Sequence, residues 1–211
     1  MTLHGSSDPR ASALLEVRSL RSSLAGPFDL ALDRGECIAI TGASGAGKSL
    51  FLRMIADLDP NDGEVTLNGR DRRSWTAPEW RRQVIYHAAE PGWWAERVAE
   101  HFPAAALSRA RELVPLLDLS LDLLGAPVAR LSTGERQRMA LIRAVVAEPP
   151  VLLLDEPTGS LDQNSVLLVE ELLADRLAGD TAVVMTTHDL SQAQRIGTRH
   201  LRMAGRRLVA A

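Results

Sequence analysis

Gly42 and Gly47 are separated by four residues and followed directly by Lys48 and Ser49, in the run Gly-Ala-Ser-Gly-Ala-Gly-Lys-Ser. A glycine-rich turn lets successive backbone N–H groups point inward around an anion. A helix start behind it adds partial positive charge, and Lys48 adds a full one. Gly42, Ala43, Ser44, Gly45, Ala46, Gly47 and Lys48 are therefore candidate ligands for the phosphates of a di- or triphosphate. Ser49 would offer its hydroxyl oxygen to a magnesium ion bridging the outer phosphates, because that hard cation prefers oxygen.

Phosphoryl transfer needs positioning and charge stabilisation more than covalent chemistry, so a metal ligand and a group that orients water must lie near the loop. Val151 to Leu154 is an aliphatic run that ends in Asp155-Glu156. Asp155 is the candidate to hold magnesium, and Glu156 the candidate to polarise a water in line with the terminal phosphate. His188 follows a second aliphatic run and could reach the same phosphate edge. These residues together point to a nucleoside triphosphate hydrolase.

A further stretch, Leu131-Ser-Thr-Gly-Glu-Arg-Gln-Arg138, precedes a helical pattern of Met139, Ala140, Ile142 and Arg143. Ser132 and Gly134 would present a hydroxyl and free N–H groups at a helix start, a second anion-binding feature far in sequence from the first. Taken alone, the same stretch reads as a surface helix with a capping serine.

The elements that must position these groups follow from periodicity. Cys37 to Thr41 is a short apolar strand feeding the glycine loop, and Phe51, Met54, Ile55 and Leu58 recur at helical spacing behind it. In open α/β sheets ligands bind at the carboxyl ends of strands, where the loop, Asp155 and His188 all fall. Leu14 to Val17, Phe28 to Leu32 and Glu64 to Asn68 read as strands with tight turns, which predicts a small antiparallel lobe. Thr76-Ala-Pro-Glu79 has the form of a capping box, so a short helix carrying Trp80 starts there, and Val84 to Tyr86 is a strand. Residues 90–146 read as a helical insertion in which Pro103, Pro115 and Pro127 blur the helix boundaries. A helix over 163–177, a buried strand over 181–186 and a closing hairpin over 199–209 complete a three-layer α/β core. Residues 1–12 are polar and turn-rich and expected to be flexible, and 13–211 form one domain.

At 211 residues, with 45% hydrophobic and 24% charged residues, the chain can build one sizeable core. A formal charge of -3 gives no electrostatic reason to expect nucleic-acid binding. Cys37 is the sole cysteine and is expected to be a buried apolar residue. The first ten residues lack the apolar core of a signal peptide, and no uncharged apolar run reaches the ~18 residues of a membrane span.

With these motifs in place, the sequence resembles the nucleotide-binding subunits of ABC transporters. Residues 42–49 look like their Walker A motif, with Leu50 next to it, Leu131 to Gln137 like their LSGGQ signature, and Val151 to Pro157 like Walker B with its catalytic glutamate. Ser160-Leu-Asp162 is similar to their D-loop and His188 to their switch histidine. The resemblance implies a P-loop NTPase core with an antiparallel β lobe and an inserted helical lobe. It also implies a homodimer sharing two ATP sites, each built from the Walker A loop of one copy and the residues matching Ser132 and Gly134 of the other, with Asp162 nearby. ATP and magnesium would be its cofactors. A separate transmembrane subunit would hold it at the cytoplasmic face of the cell membrane, and no nucleic acid is expected.

Three positions depart from the family pattern. Ala89 stands where the family has a glutamine, with Glu90 the candidate substitute after a one-residue shift. The family's base-stacking aromatic is missing near Ser22 and Ser23, leaving Arg21 to stack its guanidinium on the base. Thr133 replaces a glycine of the signature. Trp93 and Trp94 fall in the segment that faces the membrane subunit in the family, and read equally as interface anchors or as core. Two alternatives stay open: a soluble relative acting on nucleic acid or ribosomes, and a regulatory module that binds ATP with little turnover.

Overall fold

The computed structural model describes residues 13–211, so the expected flexible segment 1–12 lies outside the described residues. β1 (Leu15–Arg21) and β2 (Phe28–Leu32) pair antiparallel, with Leu15 opposite Leu32 and Val17 opposite Leu30. β3 (Cys37–Thr41) is buried throughout and runs into the glycine loop and α1 (Lys48–Ile55). β4 (Asp62–Leu67) and the two-residue β5 (Arg70–Asp71) complete a four-stranded antiparallel sheet in the order β2-β1-β4-β5. This is the small lobe that alternation and tight turns predict.

α2 (Ala77–Gln83) begins at a Thr76/Glu79 capping box, as expected from its sequence. Its Trp80 is fully buried and donates its indole N–H to the Ile55 carbonyl at 3.0 Å, filling one acceptor left open at the end of α1. α1 stops there because Asp57 turns left-handed at φ +59°, so Leu58, expected on the helix, lies beyond it and is 40% exposed.

β6 (Val84–His87) is an edge strand of the second sheet. Between it and β7 (Val151–Asp155) the chain forms only two α-helices, α3 (Leu107–Leu113) and α4 (Thr133–Val145), joined by short 3₁₀ turns. The prolines explain this texture. Pro103 and Pro127 stand directly before 3₁₀ turns and Pro115 begins one. After β7 come α5 (Gln163–Ala178), β8 (Ala182–Thr186), α6 (Leu190–Ile196), β9 (Arg199–Ala204) and β10 (Arg207–Ala210).

The second sheet has the order β10-β9-β3-β8-β7-β6 and is parallel except for the final hairpin. Its strands send alternate residues to opposite faces. Ile38, Ile40, Val151, Leu153 and Val184 pack with α1 and the antiparallel lobe. Cys37, Leu152, Leu154, Val183 and Met185 pack with α4, α5 and the inserted segment. Each fully buried leucine of β7 stabilises the fold by about 1.5–3 kcal/mol, and Leu153→Asp would bury a charge between the sheet and the α1 side of the core. The mixed α/β architecture is that expected for a P-loop NTPase, with β3, β7 and β8 side by side and their carboxyl ends on one edge.

Candidate nucleotide site

The glycine loop needs its glycines at two positions for specific reasons. At Gly42 (φ +148°) a Cβ would come within 2.6 Å of the Met203 carbonyl, so no side chain fits. Gly47 (φ +105°) is the N-cap of α1 and supplies no side-chain cap, which leaves first-turn N–H groups of the helix for an anion. Lys48 is 5% exposed and donates to the carbonyls of Gly42 at 2.9 Å and Ala43 at 3.2 Å, so its ammonium is folded over the loop. A cavity of about 280 Å³ is lined by the loop from Ser44 to Leu50, by Leu24, Ala25 and Arg206, and by Glu156.

The acids sit where β7 ends. Asp155 is 2% exposed, accepting from Thr186 Oγ1 at 2.7 Å through Oδ1 and from the Tyr86 hydroxyl at 2.9 Å through Oδ2. Burial first, and then the Asp155 charge, push the Tyr86 phenol above its ordinary range, so it stays a donor. Each Asp155 oxygen keeps a lone pair beyond its one hydrogen bond. The Ser49 hydroxyl lines the glycine-loop cavity, and hydroxyl and carboxylate oxygens are the ligand type a hard cation takes, with phosphate and water oxygens to complete its shell. Among the described residues no group of three or more His, Cys, Asp or Glu side chains stands ready to hold a metal unaided.

Glu156 adopts the left-handed conformation at φ +47°, a conformation that costs a non-glycine residue about 1–3 kcal/mol. Several contacts enforce it. Its N–H donates to the Thr186 carbonyl at 3.2 Å and hydroxyl at 3.1 Å, and its carbonyl accepts from Gln137 Nε2 at 2.9 Å and Gly159 N–H at 3.1 Å. The turned backbone sends the carboxylate toward the loop, where Oε1 lies 2.6 Å from His188 Nε2 and 3.8 Å from Lys48 Nζ. A carboxylate held between an imidazole and an ammonium can orient and deprotonate a water at the phosphate edge.

Ser132 caps α4 in a reciprocal box, accepting from Glu135 N–H at 3.2 Å and donating its hydroxyl to Glu135 Oε2 at 2.8 Å. Those bonds, Ser132 first through its backbone N–H, hold the Glu135 carboxyl below its ordinary range. Gly134 lies against Leu161, whose Cδ2 would meet an added Cβ at 3.4 Å. Neither Ser132 nor Gly134 lines the cavity over the glycine loop. The capped-helix reading thus describes the geometry within one chain. Asp162 caps α5, accepting from Ser165 N–H at 3.0 Å, and that bond lowers its pKa.

Ala89 and Glu90 line a second cavity of about 510 Å³ together with Thr133, Gln137, Ser160 and Glu156. Glu156 therefore borders both cavities. Arg21 falls elsewhere: β1 runs on to pair Arg21 with Asp62, and the chain reaches the glycine-loop cavity only at Leu24 and Ala25. The tryptophans divide. Trp93 is half-buried against the core of the inserted lobe, whereas Trp94 is 71% exposed and stands edge-on to His101 with the Arg143 guanidinium 4.7 Å from its ring centre. The neighbourhood also contains residues outside the motifs: Tyr86 and Thr186 around the two acids, and Leu24 and Arg206 at the loop. All are joined to the motif residues through the fold rather than along the chain.

The family model described as ABC transporter matches residues 26–159. The lipoprotein-releasing system ATP-binding protein LolD of Idiomarina loihiensis is 35% identical over 186 residues, covering 80% of this chain and 81% of that protein. A solved ATP-binding subunit of an ABC transporter superposes with a TM-score of 0.82 at 27% identity, over 93% of this chain and 88% of the other. The dimeric structure of MJ0796, a bacterial ABC transporter cassette, gives a TM-score of 0.77 at 25% identity over 92% of this chain and 96% of that one. The matched stretch begins before the glycine loop and runs through Ser132, Asp155 and Glu156, and the two solved cassettes share the fold. The chain belongs to the ABC transporter family, as one of its nucleotide-binding, ATP-hydrolysing subunits.

Proposed function

We propose that the chain hydrolyses ATP at sites shared with a second copy of itself, and that the resulting opening and closing drives a separate membrane subunit. The observation that carries this reading is the convergence on one carboxylate oxygen: Lys48 from the glycine loop and His188 from beyond β8 both approach Glu156 Oε1. The backbone N–H groups from Gly42 to Leu50 and the Lys48 ammonium would hold the β- and γ-phosphates. Ser49 and Asp155 would hold magnesium, which when bound neutralises charge on the phosphate oxygens. Glu156 would take the proton of the attacking water while His188 keeps its carboxylate in place. The bond between the γ-phosphorus and its bridging oxygen then breaks, releasing ADP and inorganic phosphate.

The second copy enters because Ser132 and Gly134 stand away from the loop of their own chain. A two-fold isologous pairing would set the α4 start of each copy, with its Ser132 hydroxyl and Gly134 N–H, on the γ-phosphate held by the other, with Asp162 at the junction. The MJ0796 cassette, similar in fold, is a dimer. Among the described residues no helix is long and apolar enough to cross a membrane, so a separate polypeptide would supply the membrane path. Trp94 is the anchor we assign to it, an exposed aromatic held rigid by His101, whose Nε2 accepts from the N–H groups of Trp94 at 2.9 Å and Ala95 at 3.0 Å. The chain would then work at the cytoplasmic face of the cell membrane, without nucleic acid. Phosphate release by the purified chain tests the reading: wild type turns over ATP, and Lys48→Ala abolishes turnover. Equal phosphate release by both would contradict it.

A further inference from the structure

Three neighbouring strands of the parallel sheet, β6, β7 and β8, each contribute one polar side chain to a single group. Asp155 stands opposite Thr186 in the β7–β8 register, and Tyr86 stands opposite Leu153, two residues before Asp155. Leu153 and Tyr86 pack in the core on the α1 side, and strand alternation puts Asp155 on the same face as Leu153. The Tyr86 ring spans the two-residue offset and brings its hydroxyl to Asp155 Oδ2 at 2.9 Å. From the opposite flank the Thr186 hydroxyl reaches Oδ1 at 2.7 Å. Each carboxylate oxygen is thus gripped once, from a different strand.

Such a carboxylate cannot turn about its Cβ–Cγ bond without breaking both hydrogen bonds. The grip is durable on the Tyr86 side, because burial and then the Asp155 charge keep the phenol protonated and able to donate. One lone pair on each oxygen remains for a cation or its water shell, in a fixed direction. Fixed direction matters unequally to the two common hard cations. Mg2+ demands near-ideal octahedral geometry, whereas Ca2+ accepts six to eight oxygens in a flexible arrangement. A rigid carboxylate therefore favours Mg2+, and a loose one gives up that advantage.

We infer that Tyr86 is a positioning residue of the cation site, one that fixes the direction of the Asp155 carboxylate and through it the preference for Mg2+ over Ca2+. This rests on the reading of Asp155 as a cation ligand, and deepens it by naming the residue that sets its selectivity.

The test uses the purified full chain with a non-hydrolysable ATP analogue and Mn2+, whose paramagnetic resonance reports the bound ion, displaced in turn by Mg2+ and by Ca2+. No turnover is involved. Tyr86→Phe should bind the metal-free analogue like wild type, which shows an intact fold, and should bind Mn2+ about tenfold more weakly. The excess of Ca2+ over Mg2+ needed to displace Mn2+ should shrink in the same variant. Thr186→Val, which frees the other oxygen, should shrink it too and gives an independent reading if Tyr86→Phe folds poorly. In an Asp155→Asn chain, adding Tyr86→Phe should cost nothing further, because Tyr86 acts through that carboxylate. An unchanged Mn2+ affinity in Tyr86→Phe, or an equal loss of Mg2+ and Ca2+ binding, would overturn the inference. Failure of the underlying reading looks different, with Asp155→Asn itself holding Mn2+ like wild type.

Discussion

His188 Nε2 lies 2.6 Å from Glu156 Oε1, joining the residue after β8 and Thr187 to the residue directly after β7. The left-handed Glu156 backbone places its carboxylate within reach of this contact. Glu156→Gln keeps shape and hydrogen bonding but cannot accept a proton, so kcat should fall by about 10²–10⁴-fold with ATP binding retained. His188→Ala should lower kcat less, as a loss of positioning. Phosphate release beside equilibrium ATP binding checks both. Full turnover by Glu156→Gln would remove Glu156 from the chemistry.

Gln137 reaches the Glu156 carbonyl at 2.9 Å from α4, the helix that Ser132 caps. Its other amide atom, Oε1, accepts from the Ser160 hydroxyl. Gln137→Met retains the side-chain length and loses both bonds, so Glu156 should relax toward ordinary backbone angles. We expect kcat to drop by at least about tenfold with KM little changed. An unchanged kcat would mean that the Thr186 and Gly159 contacts suffice.

Tyr86 and Asp155 are 69 residues apart and share a hydrogen bond across the β6–β7 pair. Tyr86→Phe leaves a buried carboxylate with one donor fewer, a loss of about 1–3 kcal/mol. For a chain of this size the melting temperature should fall by about 2–4 °C per kcal/mol lost. Thermal unfolding reads this directly, and no shift would show that solvent or a relaxed neighbour replaces the phenol.

His87 is buried at the end of β6 with its Nε2 lacking a partner, and burial, followed by the Arg143 charge, lowers its pKa to about 4. The unfolded chain binds that proton at the usual histidine value of 6.5, so below it the unfolded state holds more protons. Stability should therefore be complete above about pH 6.5 and decline as the pH falls toward 4, by up to about 3 kcal/mol from this residue. His87→Phe should flatten that slope in urea unfolding between pH 4.5 and 7. A slope that is the same in both proteins would assign the acid sensitivity elsewhere.

Features governed by bonds between near neighbours could be read from the sequence. The capping boxes at Thr76 and Ser132 span three residues, and the alternation in β2 and the aliphatic run of β7 are local patterns, so each element formed as expected. The motif residues were legible because chemistry restricts their types. Leu58 was misread because apolar spacing continues past α1 while the left-handed turn at Asp57 does not. The contact of Arg206 with Leu24 at the glycine-loop cavity was hidden for another reason. It exists only once the final hairpin docks on the first loop, and the guanidinium that sequence order suggested, Arg21, is held in a strand instead.

The shared site is tested most directly by the structure of Glu156→Gln with ATP and magnesium. The account predicts two chains related by a two-fold axis, with the Ser132 hydroxyl and Gly134 N–H of each at about 3 Å from the γ-phosphate seated in the other's glycine loop. ATP held by Lys48 and its loop in a chain whose Ser132 and Gly134 face only solvent, or an unrelated surface, would contradict it.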